Sequence, residues 1–163
     1  MENVQNLSLL NTVAEVELIY KTTVKPSQRP QLKTSKDCYE LLKLTWDENK
    51  IEFVEQFKVI LLNKAQRVLG IYEMSTGGVS GTVADPRLIF IAALKANAVN
   101  VVLSHNHPSG NLRPSKADEE LTYKIKQGGL LLEIKVIDHI IISSEGYYSF
   151  ARGSWHLKPG SMN

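Results

Sequence analysis

Two histidines one residue apart, His105 and His107, are followed after ten intervening residues by Asp118. The string from Ser104 to Asp118 also holds Pro108, Gly110, Pro114 and Ser115. Residues 99–104 are rich in β-branched side chains and read as a buried strand. Extended backbone repeats every second residue, so His105 and His107 should point to the same side. Asp118 opens the next amphipathic stretch, and a chain turning through two prolines and a glycine can fold that first helical turn back over the strand end. Two imidazoles and one carboxylate leave a tetrahedral metal with one open position, the arrangement of a catalytic zinc. Ser115 and Asp118 also fit a capping box, in which they close the start of a helix. The two readings are compatible.

Metal-activated water chemistry also needs a group to take a proton and a donor to hold an oxyanion. Glu52 and Glu55 precede an apolar strand and are candidates for the first task, with Glu55 preferred. Ser115 is a candidate for the second. Asp138 and His139 lie in a late apolar run, where His139 either orients a ligand or is a packed strand histidine. Arg87 either binds a carboxylate or covers the first turn of its helix.

The elements that must position these groups read as mixed α/β. Residues 14–24 alternate well enough for a strand, and a polar loop with Pro26 and Pro30 follows. Ser35 can cap a short helix containing Cys38, Leu41 and Leu42. Residues 56–63 and 67–75 form a hairpin, and a third short strand can follow Gly77 and Gly78. Asp85 and Pro86 start a helix with Leu88, Ile91, Ala92 and Leu94 on its core face, ending near Asn97. A second helix runs from about 115 to 127 and is closed by Gly128 and Gly129. Residues 130–143 form a long strand, Glu145 and Gly146 turn, and residues 147–150 return. The expectation is one mixed sheet flanked by helices.

The 163 residues fit one domain, with 43% hydrophobic residues. Cys38 is the only cysteine, so neither an internal disulfide nor a cysteine-rich zinc cage forms, and it is read as core filler in a reducing, cytoplasmic setting. No stretch is apolar enough to span a membrane. The formal charge is +2, and the basic cluster Lys21, Lys25, Arg29, Lys33 and Lys36 reads as a solvated loop, so any nucleic-acid binding should be weak.

The glutamate, His105-x-His107-Pro108 and Ser115-x-x-Asp118 together resemble the JAMM motif of MPN/JAB metalloproteases. The nearer resemblance is to the bacterial RadC-like branch, through Glu55-Gln-Phe, Asp85-Pro-Arg87, Ser104-His-Asn-His-Pro-Ser-Gly110, Pro114-Ser-Lys-Ala-Asp118 and Asp138-His-Ile-Ile-Ile142. It runs from about residue 14 to 150, and the N-terminal helix-hairpin-helix segment of longer RadC proteins is not seen, so a single domain over 1–163 is expected. The resemblance implies a cytidine-deaminase-like αβα fold, zinc on His105, His107 and Asp118, Glu55 as general base and Ser115 as oxyanion support. It implies an amide-bond hydrolase acting on a peptide or protein, with a DNA-repair accessory module as the second reading. Deaminase chemistry is disfavoured, because its cysteine-bearing signature is absent, and so is the HExxH motif.

Overall fold

A computed structural model describes residues 19–77 and 84–151, Thr12, Ala14, Val16 and Glu17, and the backbone of 154–157. The helices are α1 (Ser35–Thr45), α2 (Pro86–Lys95) and α3 (Lys116–Leu131); the strands are β1 (Gln56–Leu62), β2 (Val68–Thr76), β3 (Asn100–Asn106), β4 (Lys135–Ile142), β5 (Gly146–Ser149) and β6 (Ser154–Leu157). They build one six-stranded sheet in the order β2-β1-β3-β4-β5-β6. Among the described strands only β3 and β4 are parallel, joined by α3 in a crossover; the other pairs are antiparallel.

The sheet is buried on both faces, so its central strands are apolar almost throughout. In β1, Phe57, Val59 and Leu61 pack with Ile89 and Ala93 of α2 and Ile125 of α3. The alternate residues Ile60 and Leu62 pack with Tyr39 and Leu42 of α1, joined by Val102, Ile140 and Ile142. Lys58 shares that second face, and its ammonium is satisfied by the carbonyl of Thr45 at 3.1 Å, Glu73 at 3.3 Å and the Trp46 ring at 4.5 Å. The expected mixed sheet flanked by helices is therefore the fold.

In β4 the alternation breaks once. Val136 packs on the α3 side with Val101 and Leu103, whereas Ile140 and Ile142 pack on the α1 side. A register shift opposite Val101 and Val102 inserts one extra residue, so His139 pairs with Leu103 and shares its face. A bulge of this kind re-aims every side chain beyond it.

Several local expectations are corrected. Within residues 14–24 the described positions form no strand; the stretch reaches β2 through the Tyr20 hydroxyl, which donates to the Leu69 carbonyl. The α1 cap is Thr34, in a capping box with Asp37, and Ser35 is the first helical residue. On α2 the buried residues are Ile89 and Ala93, while Leu88, Ile91 and Leu94 are 40%, 58% and 55% exposed. That helix is apolar nearly all round, so periodicity does not choose its core face. Gly128 and Gly129 do not end α3, which runs on to Leu131, so residues 130 and 131 are helical and β4 starts only at Lys135. These glycines serve close approach: a Cβ on Gly129 would stand 2.2 Å from the Ile134 carbonyl oxygen, and one on Gly128 would stand 2.9 Å from the Phe90 ring. The strand expected after Gly77 and Gly78 falls on 78–83, outside the described residues. The hairpin of β1 and β2, the Asp85 cap followed by Pro86, and the return of β5 are as expected.

Candidate metal centre

The carboxyl end of β3 delivers His105, 1% exposed, on the face covered by α3. His107 lies just beyond the strand, half-buried. Ser115 caps α3: its side chain accepts from the Asp118 N–H at 3.1 Å, and the Asp118 carboxylate accepts from the Ser115 N–H and hydroxyl, each at 2.7 Å. Asp118 is thus both the cap partner and the third member of the cluster.

His105 Nε2 and His107 Nε2 are 3.0 Å apart; Asp118 Oδ1 stands 3.2 Å from the first and Asp118 Oδ2 3.6 Å from the second. A tetrahedral ion with bonds of roughly 2.0–2.1 Å has ligand separations of about 3.3–3.4 Å, so the spacing suits zinc or a similar ion. The chemistry of the donors agrees. His107 Nδ1–H donates to the Asn111 carbonyl at 2.5 Å, which leaves Nε2 of the neutral ring bare and facing the cluster. Burial alone pushes the Asp118 carboxyl up, but hydrogen bonds from His105 and His107, the charge of His105 and the Ser115 N–H hold it far below the usual carboxylate range. Burial pulls His107 down, yet hydrogen bonds to Asp118 and the Asn111 carbonyl, with the charges of Asp118 and Glu55, leave its pKa raised. Both shifts express the demand of converging lone pairs for a cation. His105, His107 and Asp118 are the group among the described residues able to hold a metal.

A cleft of about 400 Å³ opens beside the cluster, lined by Glu55, His107, Asn111, Arg113 and Ser115 among others. Glu55 therefore shares the site, whereas Glu52 is exposed and accepts from the Ser144 hydroxyl at 2.5 Å. Arg87 lies elsewhere, 87% exposed and paired with Asp85 at 3.3 Å, so it covers its own helix turn. Asp138 faces away from the cluster, accepting from the N–H groups of His139 at 2.8 Å and Ala151 at 3.0 Å and the Ser149 hydroxyl at 2.8 Å. Burial pushes the Cys38 thiol up to about 12, which keeps it protonated and inert in the core.

Two residues have no counterpart in the sequence reading. Asn106 stands between the histidines on the opposite face of β3, and its carboxamide grips the peptides on either side of Glu55. It accepts from the Gln56 N–H at 2.7 Å and donates to the carbonyls of Val54 at 2.9 Å and Ile51 at 2.7 Å. Thr122, one turn beyond Asp118, donates to the Asp118 carbonyl at 2.6 Å and lies 2.6 Å from His139 Nδ1. An asparagine alternating with two histidines was the available sign of the first. Replacing Asn106 with leucine should strand three buried backbone groups, cost about 3 kcal/mol or more in urea unfolding, and loosen the 51–56 loop to hydrogen exchange.

Residues 32–155 match the model of the RadC-like JAB domain. The chain belongs to the RadC-like JAB domain family. A UPF0758 protein of Flavobacterium johnsoniae is 46% identical over 96 residues, a match covering 59% of this chain and 42% of that protein. A UPF0758 protein of Caldanaerobacter subterraneus subsp. tengcongensis is 31% identical over 164 residues, covering 92% of this chain and 70% of that protein. One from Thermosynechococcus vestitus is 46% identical over 95 residues, covering 58% and 38%. This RadC-like JAB chain spans about two fifths of the first of these relatives. None of its helices, among the described residues, is long and apolar enough to cross a membrane.

Proposed function

We propose that this RadC-like JAB domain is a zinc-dependent hydrolase of amide bonds acting on a peptide or protein. The observation that carries the reading is the convergence of His105, His107 and Asp118 beside a cleft that His107 and Glu55 both line. Zinc held by these three side chains would keep one coordination position open and supply Lewis acidity toward water and a carbonyl oxygen.

The Glu55 carboxylate takes the proton of the attacking water and returns it to the leaving amine nitrogen. Its half-buried place at the start of β1, gripped on both sides by Asn106, keeps it facing the cleft. Ser115 lines the same cleft, and its hydroxyl proton is held by Asp118 at 2.7 Å. To support an oxyanion, the hydroxyl turns from that carboxylate, while the Ser115 N–H keeps the helix capped. His107 and Asp118 are held in place by the Asn111 carbonyl and the cap, so the Ser115 hydroxyl is the group that has to turn.

The decisive experiment is metal analysis of protein purified without added metal, followed by a hydrolysis screen on diverse quenched peptides with and without zinc. Zinc-dependent cleavage supports the proposal, and stoichiometric zinc with no cleavage of any peptide or isopeptide bond counts against it. The DNA-accessory reading makes a different prediction. A charge of +2, exposed Lys21, Lys25 and Lys33 in the connecting stretch and Lys36 on α1, where it pairs with Glu40, offer few phosphate contacts. Duplex and single-stranded DNA should bind with dissociation constants no tighter than roughly 10⁻⁴–10⁻⁶ M at physiological salt. Tight, sequence-dependent binding in an anisotropy titration would promote the accessory role.

A further inference from the structure

His139 is a buried titratable group to which the hydrolytic reading gives no task. It is 0% exposed in β4, with its ring stacked on Phe150 at 4.7 Å and met by Phe57 at 5.8 Å between centroids. Phenylalanines on two sides exclude water, yet both ring nitrogens are partnered. Nε2 lies 2.8 Å from His105 Nδ1, and Nδ1 lies 2.6 Å from Thr122 Oγ1.

The proton directions follow by elimination. Thr122 has one hydroxyl proton and gives it to the Asp118 carbonyl, 2.6 Å away, because two oxygens at that distance with no proton between them would repel. Its oxygen must then accept from the Nδ1–H of His139. A neutral His139 has its other nitrogen bare, so Nε2 accepts from the Nδ1–H of His105. That leaves His105 Nε2 bare, and this is the atom facing His107 and Asp118. The chain of bonds starts at one member of the cluster, on β3, and ends at the peptide carbonyl of another, on α3. The β4 bulge makes this geometry, since regular alternation from Val136 would turn residue 139 toward α1.

We propose that His139 is a positioning residue that, with Thr122, locks His105 in the Nδ1–H tautomer and so presents a bare Nε2 to the metal. The proposal rests on the reading of His105, His107 and Asp118 as ligands. Because the acceptor on His105 is a neutral imidazole and not a carboxylate, His105 remains a neutral ligand, and Asp118 alone sets the negative charge of the set.

The test uses the full chain with zinc as the probe. Metal-free protein carrying ¹⁵N-histidine is studied near pH 9, above the ordinary imidazole range, where ring ¹⁵N shifts report each tautomer. In the wild type, His105 should be wholly Nδ1–H. His139→Phe fills the space between Phe57 and Phe150 but offers no acceptor; His105 should become a tautomer mixture, and zinc affinity by chelator competition should fall about 10–100-fold. His139→Gln, whose amide can accept from His105 and donate to Thr122, should restore affinity to within a few-fold of wild type. A purely structural role would instead make both variants lose affinity in step with their melting temperatures. Should His139→Phe not fold, Thr122→Val breaks the same chain at its far end and should give the same tautomer mixture. A wild-type His105 in the Nε2–H form, or wild-type tautomer and affinity in the Phe or Val variant, overturns the proposal. Absence of zinc binding in the wild type with His105 still Nδ1–H refutes the ligand reading and leaves the tautomer lock standing.

Discussion

His105→Ala and His107→Ala proteins should emerge from purification almost free of zinc, with affinities about 10²–10³-fold below wild type. Four-ligand structural zinc sites bind with roughly 10–16 kcal/mol, so each ligand is worth about 2.5–4 kcal/mol, and a three-ligand site has none to spare. Both variants should stay folded, because the core beneath them is packed without metal: Val101, Leu103 and Ile125 are all 0% exposed. His107→Ala is the cleaner of the two. His105 stacks on Phe57 at 6.0 Å between centroids, so its loss also opens a cavity in the α3-side layer. Elemental analysis and thermal unfolding check both halves of the expectation. Stoichiometric zinc in both single variants would remove the assignment.

Glu55→Gln separates binding from chemistry. The amide keeps the size of the carboxylate and loses its basicity, so zinc content should match wild type while cleavage falls by a hundredfold or more, the usual worth of a positioned general base. The effect should appear in kcat, with KM little changed, in a peptide-cleavage assay. If the variant loses zinc instead, Glu55 is a ligand. If it keeps full activity, another group in the cleft takes the proton.

The parts of the molecule legible in the sequence are those in which local chemistry and tertiary packing agree. Asp85 before Pro86 starts a helix wherever it occurs, and Ser115 with Asp118 carries its own capping geometry, so both were readable without neighbours. The two histidines needed only an extended backbone. What failed was whatever a distant element decides. The exposed side of α2 is set by where β1 and α3 lie, and a helix apolar nearly all round does not encode that. Gly128 and Gly129 look like a helix terminus, but their meaning is the nearness of Phe90 and Ile134. The contact of His139 with His105 depends on a one-residue bulge, which reverses the parity on which any period-two argument rests. The role of Asn106 was not legible because its partners lie 50 or more residues earlier in the chain.

The double use of Asp118 has a kinetic side. In small zinc modules the ligands assemble only as the ion arrives, and exchange is tied to folding. Here Ser115 already holds the Asp118 carboxylate, and the Asn111 carbonyl already orients His107, through bonds that involve no ion. On the reading of these three side chains as ligands, uptake would be governed by how fast a hydrated ion sheds water at the mouth of the cleft, and release by breaking metal bonds. A chain stripped by a chelator would then wait, folded, to be reloaded. Scarcity of metal would therefore act on this protein as a reversible off-state, leaving no unfolded pool for proteases to consume.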